Sequence, residues 1–217
     1  MALPPELQDV LPGDVARSWE LIASALPREL YLIGGTALAV HLHHRVSRDL
    51  DFFFHDDVDL DRLAATLQEA GPFAVTLRSE GTLNGLFSET KVQFLSAASQ
   101  ELLEQPAEVA GVRVAGIGDI FATKLKVIGD RGELRDYLDL MAIERQAGRR
   151  VEEGLGLFLT RYRVPPGDAS INHIVTALGY LGDVDEDDLL PVEKDVIEAY
   201  WRRRQPEIVR HLTRFTL

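Results

Sequence analysis

The chain has 217 residues, 46% of them hydrophobic, and a formal net charge of -12. That length and apolar content suffice to bury a full core, so the sequence reads as one compact domain with a helical extension. The charge argues against a nonspecific grip on nucleic acid, no apolar run approaches the roughly 18 residues of a membrane span, and the lack of cysteine excludes disulfides, thiolate zinc sites and cysteine nucleophiles.

The amino terminus, MALPPELQDVLPGD, lacks the basic and apolar segments of a leader, which makes a cytoplasmic location the expectation. A first helix is expected from Asp14 to about Leu26, with Val15, Trp19, Ile22 and Leu26 on one stripe and Pro27 ending it. A short apolar strand, Leu30 to Ile33, then runs into Gly34 and Gly35. Without a Cβ, these residues permit a sharp turn and let an anion approach backbone N–H groups at the positive end of a helix. Thr36 is placed to cap that helix through Ala37, Leu38, Ala39 and Val40.

Thirteen residues separate Gly35 from DLDFFF, Asp49 to Phe54. Period-two alternation puts Asp49, Asp51 and Phe53 on one face and Leu50, Phe52 and Phe54 on the other, with the two carboxylates roughly 7 Å apart at Cα. Hard oxygen donors at that separation suit Mg²⁺ bridging to phosphates. Each half alone has an ordinary reading, as a strand-to-helix turn or a solvated acidic face. Joined in this order and spacing, they favour a phosphate cradle beside a metal site.

Asp59 to Ala70 reads as an amphipathic helix over a sheet, ended by Gly71-Pro72. Strands are expected at Ala74 to Arg78, Leu83 to Ser88 and Lys91 to Leu95, as a meander, and at Val112 to Val114. From Gly118 the pattern is helical. Asp119 caps a helix through Ile128, and a second begins near Gly132. Others cover Val151 to Tyr162, Ser170 to Leu181 and Pro191 to Phe215, with the acidic stretch Asp183 to Asp188 as a loop. Between Lys124 and Arg163 stand nine Lys/Arg against seven Asp/Glu, which allows a local basic surface on an acidic chain.

The segments GGTALAVHLHHRVSRDLDFFF and DIFATKLKVIGDRGELRDYLDLMAI resemble the AbiEii/AbiGii toxin family of nucleotidyltransferases, within the superfamily that includes DNA polymerase beta. The resemblance covers roughly residues 30 to 145. It implies an α+β (mixed α/β) fold: a nucleotidyltransferase-type mixed β-sheet flanked by helices over residues 1–116, then a helical C-terminal region, residues 117–217, closing the cleft. It implies that Gly34, Gly35 and Thr36 form the phosphate-binding turn and Asp49 and Asp51 the metal pair. Arg45 and Ser47 lie in the matching R-x-S-x-D-x-D segment, with Ser47 a candidate for phosphate binding. Lys124 matches the family lysine and Asp136 its late acidic residue, so Asp49, Asp51, Lys124 and Asp136 are the expected catalytic residues. One departure stands out. Where superfamily enzymes carry a third carboxylate, the segment KVQFL offers Gln93, whose amide ligates a metal weakly and cannot accept a proton.

Other clusters carry ordinary readings. Lys126 suits a solvent face, and Arg131 and Arg135 suit partners in Asp130 and Glu133, while Asp139 pairs naturally with Arg135. His41, His43 and His44 are a weak zinc signal without a carboxylate partner. Trp201 among Arg202, Arg203 and Arg204 fits an amphipathic terminal helix with snorkelling arginines better than a base-stacking platform. The expected function is Mg²⁺-dependent transfer of an NMP from an NTP to a hydroxyl. By resemblance, the acceptor is RNA such as the end of a tRNA and the role is that of a toxin held by a cognate antitoxin. Two alternatives stay open: a small cationic acceptor of the aminoglycoside kind, suited to the acidic chain, and a catalytically silent nucleotide- or partner-binding protein, suggested by Gln93.

Overall fold

The computed structural model describes residues 3–215, so Met1, Ala2, Thr216 and Leu217 lie outside it, including the first two residues of the amino-terminal reading. The chain divides into two compact units, Met1–Gly116 and Ile117–Leu217. Among the described residues, seven strands form one mixed sheet and eight α-helices accompany it, after a 3-10 turn at Pro5–Leu7.

In the first unit, α1 (Gly13–Ile22) precedes β1 (Tyr31–Ile33), which runs directly into α2 (Gly34–Leu42). There follow β2 (Asp49–Phe54), α3 (Leu60–Ala70), β3 (Phe73–Ser79), β4 (Thr82–Phe87), β5 (Thr90–Ser96), β6 (Ala107–Val109) and β7 (Val112–Val114). The sheet order is β3-β4-β5-β2-β1-β7-β6. The hairpins β3/β4, β4/β5 and β6/β7 are antiparallel, as is β1/β2, whereas β2/β5 and β1/β7 are parallel. The meander is therefore present, and its last strand pairs in parallel with β2.

Alternation in β2 follows the sequence pattern. Leu50, Phe52 and Phe54 are buried, while Asp49, Asp51 and Phe53 are half-buried. On the buried face the Phe52 and Phe94 rings stack at 5.2 Å, and the same core takes Val15, Trp19 and Ile22 of α1 with Leu60, Leu63 and Leu67 of α3. At about 1.5–3 kcal/mol per fully buried large apolar side chain, this face supplies the main driving force for the unit. Asp59 caps α3 as its carboxylate accepts from the Asp61 and Arg62 N–H groups.

The second unit holds α4 (Ile117–Arg131), α5 (Leu134–Gln146), α6 (Val151–Arg161), α7 (Ala169–Leu178) and α8 (Lys194–Phe215). A glycine lets α6 lie close on α4, for a Cβ at Gly154 would stand 2.7 Å from the Phe121 ring and 2.9 Å from Leu125. Asp119 does not cap α4, which begins two residues earlier. It is fully buried and paired with the equally buried Arg161 of α6. Trp201 is also fully buried, its indole N–H donating to the Tyr137 carbonyl at 3.1 Å, so it belongs to the core of α8 against α5. Arg204 is held by Glu144 and Glu152.

Candidate functional site

The first half of the site is built by register. In the antiparallel pair of β1 and β2, Ile33 is opposite Asp51, so the turn that follows Ile33 is delivered beside the acidic strand. Gly34 adopts φ +78°, a left-handed conformation that favours glycine. A Cβ there would lie 2.9 Å from Asp51 Oδ2, and one at Gly35 would lie 2.4 Å from Arg45 Nη2 and 3.3 Å from Ser47 Oγ. Two bare backbones thus leave room for a carboxylate on one side and a guanidinium on the other. The α2 amino terminus, with its unsatisfied N–H groups, starts at this point.

Thr36 departs from its expected role. The residue before α2 is Ile33, with no side-chain cap, and Thr36 lies inside the first turn. Its hydroxyl donates to the Asp49 carbonyl and stands 2.8 Å from the Ser47 hydroxyl. Thr36 and Ser47 are both buried, and Ser47 N–H donates to the Val10 carbonyl at 3.0 Å. These two hydroxyls tie the first turn of α2 to the chain leading into β2.

Arg45 was legible only as a neighbour of the motif, yet it is a buried cation, 8% exposed, directly against Gly35. Arg45 and Ser47 are buried while Val46 and Arg48 are exposed. In the parallel pair of β2 and β5, Gln93 is opposite Asp51, which places it next to the acidic pair on the neighbouring strand. Among the described residues no group of three His, Cys, Asp or Glu side chains could hold a metal ion. The candidate ligands remain the pair Asp49 and Asp51.

Lys124 and Asp136 lie in the second unit, together. Lys124 Nζ is 2.7 Å from Asp136 Oδ1 and 2.6 Å from Asp139 Oδ2, all three side chains being less than one-tenth exposed. The other Asp136 oxygen accepts from the Glu133 N–H at 3.0 Å and closes a capping box at the start of α5. Asp139 is therefore a partner of Lys124 and not of Arg135, which bonds Glu133 at 2.6 Å. Lys126 pairs with Asp130, Arg149 with Glu153 and Arg150 with Glu152. The excess of basic residues in this stretch is thereby largely spent in ion pairs. His41 Nε2 meets the Ala115 carbonyl at 2.8 Å, and His43 takes the left-handed position ending α2.

A family described as nucleotidyl transferase AbiEii toxin, type IV toxin-antitoxin system, matches residues 19–215. The uncharacterised protein aq_aa25 of Aquifex aeolicus is 30% identical over 186 residues, covering 84% of this chain and 85% of its own. Two solved structures share the fold. One is MenT4, a nucleotidyltransferase toxin of Mycobacterium tuberculosis, with a TM-score of 0.58 and 20% identity over 95% of this chain and 86% of that one. The other is JHP933 from Helicobacter pylori, also at 0.58, with 19% identity over 99% and 96%.

Proposed function

Since this chain belongs to the AbiEii family of nucleotidyltransferase toxins, we propose that it transfers a nucleoside monophosphate from an NTP to a hydroxyl of RNA, such as the end of a tRNA, with release of pyrophosphate. The observation that carries this reading is the abutment of the Gly34 turn on the Asp51 carboxylate. It sets anion donors and hard oxygen ligands side by side. In this reading the protein is a toxin of the bacterial cytoplasm, restrained by a cognate antitoxin.

The two carboxylates fit a divalent cation of the Mg²⁺ kind, which takes one or two of them and leaves its other positions to water and phosphate oxygens. When bound, the ion would withdraw charge from the phosphate oxygens. The protein's own groups do the rest. N–H groups of Gly35 and Thr36 hold the terminal phosphates and orient the α-phosphorus. The acceptor oxygen bonds to that phosphorus as its bond to the bridging oxygen breaks, and pyrophosphate leaves. Lys124 is assigned the developing phosphate charge and Asp136 the departing hydroxyl proton or its orientation.

The test is transfer of label from each of the four α-labelled NTPs, with Mg²⁺, into bacterial RNA and small-molecule fractions. The native chain is expected to label RNA and the Asp49→Ala/Asp51→Ala variant to label nothing. Equal labelling by both would overturn the assignment. Gln93 beside Asp51 favours a second reading, a nucleotide binder without turnover. A large gain of transfer in Gln93→Asp would support it, and no gain would leave Asp136 or another acid such as Glu89 as the base.

A further inference from the structure

The row of the sheet that carries Asp51 does not end there. Asp51 is in register with Gln93 of β5, Gln93 with Asn84 of β4, and Asn84 with Leu77 of β3. Residues directly opposite one another across neighbouring strands share a face. Asp51, Gln93, Asn84 and Leu77 therefore stand in line, with Asn84 about 10 Å from Asp51 at the usual strand spacing. The reverse face, with Phe52, Phe94 and Leu83, is fully buried. The outer row is open by contrast. Leu77 is 49% exposed, and Leu86, one pleat along, is 42% exposed. Within it, Asn84 Oδ1 is buried and has no hydrogen-bond partner among the described residues.

The order of strands gives this row a direction. The phosphate turn follows β1, on one side of β2, and the amide row runs through β5 and β4 on the other. In-line displacement puts the attacking oxygen opposite the leaving pyrophosphate, which is the side of Gln93. The chemistry of the row indicates what attacks. Two carboxamides offer donors and acceptors without charge and so match hydroxyl groups, and beyond Asp51 the row carries no further acid that would favour a polycationic acceptor. Lys91, exposed and in register with Asp49, adds a cation one pleat away, where a phosphodiester would pass.

We propose that Gln93 and Asn84 form the acceptor subsite, holding the terminal ribose of an RNA strand by its hydroxyl groups, with Leu77 and Leu86 against the adjoining base. This rests on the nucleotidyltransferase reading above. Gln93 orients the attacking hydroxyl without taking its proton, which passes to water as the O–P bond forms and pyrophosphate departs.

The experiment has two arms on the full chain. The first measures equilibrium binding of an α-labelled NTP with Mg²⁺ to the native protein and to Asp49→Ala, Asn84→Ala and Gln93→Ala. The second measures retention of end-labelled bacterial small RNA, with its 3′ ends either intact or oxidised by periodate to destroy the ribose diol. The native chain is expected to prefer intact RNA by about tenfold, the scale of one or two hydrogen bonds. Asn84→Ala and Gln93→Ala are expected to lose that preference while keeping NTP binding, which also shows that they fold. Should Asn84→Ala fail to fold, Asn84→Ser reads the same arm. Normal NTP binding with the RNA preference unchanged in the variants, or absent from the native chain, overturns the acceptor subsite alone. NTP binding that is absent, or indifferent to Asp49→Ala, overturns the nucleotidyltransferase reading and the subsite with it.

Discussion

At the scale of single residues, the site depends on what two glycines leave out. Gly34→Ala imposes a Cβ on a left-handed backbone, costing about 1–2 kcal/mol, and sets it 2.9 Å from Asp51 Oδ2. The carboxylate must then move. Since a shift of about 1 Å in a reacting group can lower rate a hundredfold, Gly34→Ala is expected to cut transfer by about that factor with only a modest fall in melting temperature, read by paired kinetics and calorimetry. Asp119→Ala makes the opposite prediction. It strips a fully buried arginine of an ion-pair partner, and a loss of about 3–5 kcal/mol is expected in denaturant titration. The residues that touch phosphate and metal in the proposed reading were legible because their chemistry is fixed by type and spacing. Arg45 and Asn84 were not, because an arginine in a polar segment and an asparagine in a strand acquire meaning only through the register of what they face.

At the scale of elements, the second unit shows packing overruling propensity. Alanine is a better helix former than glycine by about 1 kcal/mol, yet Gly154→Ala in α6 is expected to destabilise by about 1–3 kcal/mol, because its Cβ meets Phe121 and Leu125 inside van der Waals distance. A melting temperature raised by this substitution would show that α4 and α6 separate freely. Most elements were readable from periodicity, and DLDFFF was read to the residue. The failures have physical causes. The helix expected to reach Leu26 stops at Ile22, ahead of Pro27, and the three-residue β6 is too short to carry a period. Thr36 and Asp119 have the composition of caps, but a hydroxyl partner and a buried arginine claimed their side chains instead. The parallel pairing of β5 with β2 joins strands far apart in the chain, and no local pattern specifies it.

At the scale of the whole molecule, carboxylates held in ion pairs are expected to make stability sensitive to acid. Glu152 shows the sign. Burial raises its pKa, but the hydrogen bond and charge of Arg204, with Arg150, outweigh that and hold it below its ordinary 4.5. A carboxylate so depressed stabilises the fold above its unfolded value and loses that contribution as pH falls through the native one. Glu152→Gln should therefore be less stable than the native chain near neutrality, with the difference closing below pH 4.5, as thermal melts across that range would record. Burial also pushes the Tyr137 phenol up to about 12, helped by Asp183 and Asp136. It stays protonated through that range and goes on donating to the Ala177 carbonyl. Finally, β2 is flanked on both sides, by β5 and β1. The amide protons of Asp51 to Phe53 are expected to be among the slowest to exchange with deuterium, opening only with the whole unit. The acidic pair then has the lifetime of the fold itself, so partial fraying at the outer strands would leave its two carboxylates in place.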